Sequence, residues 1–155
     1  MLRVTTIHPH ALYNCATTRS LEQWAQSQLP AGTLMQRAGW AVARLTLAVA
    51  PHARRIWIAC GPGNNGGDGL EAAAHLQQWG KQVQVSLIHD PARSPADARQ
   101  AWAAAQAAGV QFTDQIPDAF DVCIDALFGI GAIRPLSATY ADWAARMNAA
   151  TAPTI

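Results

Sequence analysis

Beyond residue 50, short apolar runs alternate with segments of helix length, and this alternation restricts the fold more than any other feature of the chain. Ile56-Trp57-Ile58-Ala59-Cys60 has the pattern of a strand buried on both faces. After a glycine-rich loop, residues 70–79 read as a helix stopped by Gly80. Residues 83–88 are the next strand, and residues 96–108 the next helix, stopped by Gly109. Residues 110–112 and 121–125 are further short strands, residues 140–149 a last helix, and residues 151–155 the start of another strand. Such alternation predicts an α/β fold of three layers, a mostly parallel sheet between helices joined by right-handed crossovers. Two extra helices precede it. Thr18 is the candidate cap of the first, whose apolar face is Leu21, Trp24 and Ala25, and residues 1–16 read as a loose arm. The second spans about residues 33–49, with Leu34, Ala38, Val42, Leu45 and Val49 at helical spacing.

Composition narrows the function. Half of the 155 residues are hydrophobic, enough to bury a core, and the net charge of +1 offers no electrostatic grip on nucleic acid or an anionic membrane. No apolar stretch approaches the ~18 residues of a membrane span. Cys15, Cys60 and Cys123 lie far apart without metal-binding spacing, which suits a reducing compartment. The reading is a soluble cytoplasmic domain with neither nucleic acid nor membrane as partner.

Parallel α/β sheets bind ligands at the carboxyl ends of their strands. Two glycine-rich loops fall there, residues 61–69 and residues 126–137. In the first, Gly61-Pro62-Gly63-Asn64-Asn65-Gly66 satisfies G-x-G-x-x-G after a strand, so its amides and the following helix are expected to cradle a phosphate. Gly67-Asp68-Gly69 extends the loop, delays the helix and sets a carboxylate beside the ligand. The alternative is a tight turn using Asn and Gly for their backbone tolerance. The second loop begins with Asp125 at the end of an apolar strand, where a buried acid needs Arg134, a cation or backbone amides as partner. Asp90, ending the second strand, is either a ribose-binding acid or a turn residue before Pro91. Cys60 reads as a buried structural thiol.

Leu34-Met35-Gln36-Arg37-Ala38-Gly39, the string from Cys60 to Leu70, and the stretch from Asp121 to Leu136 closely resemble the YjeF N-terminal domain, the NAD(P)H-hydrate epimerase family. The likeness runs from about Leu12 to Ile155, and GPGNNGGDG followed by DALFGxG is highly specific. It implies a Rossmann-like domain, usually a homodimer, that interconverts the R and S epimers of NADHX and NADPHX in nicotinamide nucleotide repair. A dehydratase, separate or fused in one chain, would be its partner. Asn64, Asn65, Gly66, Gly67 and Asp68 would bind the hydrated dinucleotide, together with Gly129, Ile130, Gly131, Ala132, Ile133, Arg134 and Pro135. Asn65 and Asp125 would be ligands of a potassium ion. The family pattern continues into a D-x-P-S-G segment that supplies an acid for proton transfer and a serine for the ion. The chain ends before such a segment, so the likeness implies a domain incomplete at its C-terminus, with Asp68 the remaining catalytic candidate. The competing reading is a non-catalytic nucleotide-binding or scaffold module of the same fold.

Overall fold

The computed structural model describes residues 11–130 and 135–155, divided between two compact units, Met1–Pro30 and Ala31–Ile155. The first contains helix α1 (Cys15–Gln28), which begins earlier than expected because Asn14 rather than Thr18 is its cap. The Asn14 side chain accepts from the Thr17 amide at 2.9 Å, satisfying an amide that the helix leaves without a partner. None of the α1 residues is buried.

The second unit runs α2 (Thr33–Val49), β1 (Arg55–Cys60), α3 (Asn64–Gln78), β2 (Gln82–Ser86), a 3₁₀ turn (Pro91–Arg93), α4 (Ala96–Ala107), β3 (Gln111–Thr113), β4 (Val122–Ala126) and α5 (Ala138–Ala149). The four strands form a parallel sheet in the order β3-β2-β1-β4. Thr154 bridges to Cys123 in parallel, with Asp125 N donating to Ile155 O at 2.8 Å, so the start of the expected further strand pairs beside β4.

Period-two alternation sorts the side chains. Ile56 and Ile58 of β1, with Val83 and Val85 of β2, enter a core with Leu70, Leu76, Ala98 and Ala101 from α3 and α4. Fully burying such an aliphatic side chain contributes about 1.5–3 kcal/mol. On the other face Trp57, Ala59 and Cys123 meet Tyr140, Trp143 and Met147 of α5. Helices thus cover both faces, but unequally, because the crossover from β3 to β4 (residues 114–121) contains no helix. A buried relay fastens this crossover to the sheet: the Trp57 indole donates to Ser86 Oγ at 2.9 Å, and Ser86 donates to the Gln115 carbonyl at 2.6 Å. At its far end Asp121 accepts from the Arg54 and Arg55 amides, each at 2.9 Å, and pairs with the Arg55 guanidinium at 2.7 Å.

Candidate functional site

β1 and β4 are neighbours, with Ala59 opposite Asp125 and Cys60 opposite Ala126, so the loops that leave them emerge side by side. Gly61 N donates to Ala126 O at 2.9 Å, carrying the pairing one residue past the strand. A Cβ at Gly61 would collide with the Leu127 carbonyl oxygen. This close approach welds the roots of the two loops together.

The first loop is shorter than the sequence suggests. α3 starts at Asn64 rather than near Leu70, and the expectation of a delayed helix is corrected. Gly66, Gly67 and Gly69 lie inside the helix and are buried. A Cβ on Gly66 would strike the Gly61 carbonyl, one on Gly67 would lie 2.7 Å from Met35 Sδ, and one on Gly69 would overlap Ala126. These glycines therefore let the first turns of α3 press against β1, β4 and α2. Their number reflects packing, and the low helix propensity of glycine, ~1 kcal/mol each relative to alanine, is the cost of that contact.

What faces outward is the helix amino terminus. Its first backbone bond is Gly67 N to Gly63 O at 3.2 Å, so the amides of Asn64, Asn65 and Gly66 precede the helical ladder. Gly63 at the cap position supplies no side-chain acceptor. Asn64 is exposed, while Asn65 and Asp68 are half-buried. The second loop comes directly beside it: the Cβ position of Gly129 lies 3.6 Å from Asn65 Cβ and 3.9 Å from its side-chain oxygen. Phe128 stands edge-on against Tyr140 with ring centroids 5.0 Å apart, which holds this loop to α5. Ile130 and Pro135 are exposed, and Gly131, Ala132, Ile133 and Arg134 lie outside the described residues.

Asp125 is exposed, against the expectation of a buried acid, because β4 ends where the sheet opens to solvent. One carboxylate oxygen accepts from the Leu127 amide at 3.0 Å. Among the described residues no basic side chain pairs with it, so burial creates no demand for a counter-charge. Side-chain oxygens of Asp125 and Asn65, on adjoining loops, are still the donor type that a hard cation takes. Among the described residues no group of three or more His, Cys, Asp or Glu is placed to hold a metal.

Cys60 is completely buried, and burial pushes its thiol pKa far up, which removes it as a nucleophile. Asp90 uses its carboxylate locally, accepting from the Ala92 amide at 3.0 Å to cap the 3₁₀ turn. The residue that sequence reasoning passes over is His89, just beyond β2 on the same sheet edge. Its Nδ1 is buried without a partner among the described residues, and burial lowers its pKa while Asp90 opposes that shift. The signal available in the sequence is its position, directly after an apolar strand.

A parallel sheet whose first strand runs into an uncapped helix amino terminus, flanked by the loop of the neighbouring strand, defines a Rossmann-like α/β domain with an anion-ready site. The chain belongs to the YjeF-related protein N-terminus family, which matches residues 31–155. A Bordetella pertussis protein named NAD(P)H-hydrate epimerase is 43% identical over 123 residues, 79% of this chain and 54% of that protein. A Limosilactobacillus fermentum protein of the same name is 35% identical over 150 residues, covering 90% of this chain and 69% of its own length. A "Bifunctional NAD(P)H-hydrate repair enzyme Nnr" of Thermofilum pendens is 38% identical over 117 residues, 69% of this chain and 22% of that protein. The crystal structure of yeast ynu0 shares the fold, with a TM-score of 0.77 at 19% identity over 94% of this chain and 68% of that one. The chain spans about half the length of the Bordetella relative. No helix among the described residues is long and apolar enough to cross a membrane.

Proposed function

We propose that this chain carries the substrate site of an NAD(P)H-hydrate epimerase. The observation that supports it best is the meeting of the α3 amino terminus with Gly129 at the carboxyl ends of two adjacent parallel strands. Relatives that bear this name give the site its substrate class. In this reading the amides of Asn64, Asn65 and Gly66 hold the pyrophosphate, where the helix dipole adds about 0.3–1 kcal/mol of attraction. Gly129, Ile130 and Pro135 contribute to binding the hydrated dinucleotide. Asn65 and Asp125 would hold a potassium ion, which when bound neutralises the carboxylate and draws the two loops together. Inverting the hydroxyl-bearing ring carbon calls for proton transfer. Asp68, one turn into α3, is the acid assigned to it in this chain. The working protein is a cytoplasmic homodimer that serves a dehydratase, fused or separate.

The test mixes purified protein with R-NADPHX and an excess of S-specific dehydratase, then follows NADPH absorbance. Asp68→Asn should slow recovery by ~10²–10⁴-fold, the usual loss when a general acid or base is removed. Recovery unchanged in that variant removes Asp68 from the chemistry. Saturable dinucleotide binding without turnover in the parent protein supports the non-catalytic binding module instead.

A further inference from the structure

Away from the loops of the candidate site, a cavity of about 410 Å³ lies on the sheet face that Trp57 occupies. It exists because the crossover of residues 114–121 passes this face as irregular chain, leaving room that a helix would otherwise fill. Its volume falls in the ~300–1,000 Å³ range of small-molecule sites. Sheet register sets its floor. Arg55 stands opposite Gln82, Trp57 opposite Gln84, and Gln84 opposite Gln111, so these side chains form two rows across three strands. Pro117 and Phe120 from the crossover supply an apolar wall.

Parallel sheets ordinarily bury both faces and fill them with aliphatic side chains. Here β2 reads Gln-Val-Gln-Val-Ser, with the valines in the core and both glutamines on the cavity side. Gln82 and Gln111 are exposed and Gln84 is half-buried, and their side-chain amides have no hydrogen-bond partner among the described residues and face solvent, whereas Gln77, also at the cavity, accepts from Val83 N at 3.1 Å. Each of these amides offers a donor and an acceptor on one planar group. Gln84 and Gln111 project from neighbouring strands, ~4.8 Å apart in the sheet, so both amides can meet one edge of the same planar ligand. The formal charge in the lining is Arg55, and it is already committed to Asp121 at 2.7 Å.

We propose that this cavity is a second binding site, separate from the dinucleotide site, and that it takes an uncharged purine base or nucleoside. Paired amides complement the alternating donors and acceptors of a purine edge, as glutamine does when it reads adenine. The neutralised lining gives no hold on a phosphate, which separates its ligand from the nucleotide at the carboxyl edge.

Side-chain amide resonances in ¹⁵N–¹H spectra test this directly, with adenosine and inosine as probes. Saturable shifts are expected at Gln82, Gln84 and Gln111, while the backbone amides of Asn64 and Asn65 stay in place. Gln84→Leu should weaken binding at least about tenfold, the size expected for leaving a polar ligand edge unpaired. Gln111→Leu, on the edge strand where folding is least at risk, should do the same. Absence of shifts at millimolar probe overturns the proposal. So do shifts that persist unchanged in both variants, and shifts confined to Asn64, Asn65 and Gly129, which would place the base at the carboxyl edge.

Discussion

At the scale of single residues, the contrast between Asp125 and Asp121 shows that an acid at a strand end has no fixed meaning. Asp121 precedes β4 and is saturated by the Arg55 guanidinium and two backbone amides. Asp125 near the end of the same strand is exposed, with one amide on one oxygen. If Asp125 and Asn65 hold potassium, the ion binds only the folded state and stabilises it by mass action. Thermal unfolding should then rise with potassium well beyond equimolar lithium, whose smaller size suits a different cage. Asp125→Ala should erase that difference. Equal effects of the two salts on the parent protein would remove the ion from this site.

At the scale of elements, the amino end of α3 combines two demands that usually conflict. The helix must lie close enough to β1 and β4 for Gly61, Gly66 and Gly69 to touch neighbouring backbone or side chains. It must also leave its first amides unclaimed for an anion. Gly63 meets the second demand by capping nothing, and no heavy atom of the described residues lies within 4 Å of its Cβ position, so a side chain there meets open space among them. Gly63→Asp should therefore stabilise the fold by about 0.5–1 kcal/mol, through an N-cap bond and the helix dipole. The same carboxylate would occupy the phosphate position, so dinucleotide affinity should fall at least about tenfold. Calorimetric titration beside a melting curve reads both effects. Gain of stability with undiminished affinity would show that the phosphate sits elsewhere.

For the whole molecule, the helix-free crossover joins β3 and β4 by irregular chain, held by the Ser86–Gln115 bond, by Phe120 against Trp57 and by the Asp121 clamp at its end. The Asp121 clamp at its end matters accordingly. Its guanidinium and amide donors hold the Asp121 carboxyl far below the ordinary carboxylate range. A pKa depressed in the folded state gives stability that is present above the unfolded value near 4 and is lost as pH falls toward the folded value. Asp121→Asn should thus lower Tm by a few degrees at neutral pH. The gap to the parent protein should narrow below about pH 4. A gap that stays constant down to pH 2 would show that the clamp acts through shape rather than charge.

Local pattern determined the order of the elements. Apolar runs such as residues 56–60, and helical spacing such as that of residues 33–49, are properties of short windows, so strand and helix were legible there. The glycine string and the DALFGxG loop were equally legible, and with them the family and the edge of the sheet where a site forms. Three things were not. The start of α3 depends on what presses against Gly66, Gly67 and Gly69, and of those partners Gly61 lies across the same loop while Met35 and Ala126 come from distant parts of the chain. The exposure of Asp125 depends on where β4 emerges from the packed layers, which strand composition does not record. The polar face of Gln82, Gln84 and Gln111 has meaning only once the crossover is seen to bridge the sheet without a helix. Hydrophobic periodicity encodes which side of an element turns inward; what it turns toward is settled by contacts distant in sequence, and only tertiary structure decides those.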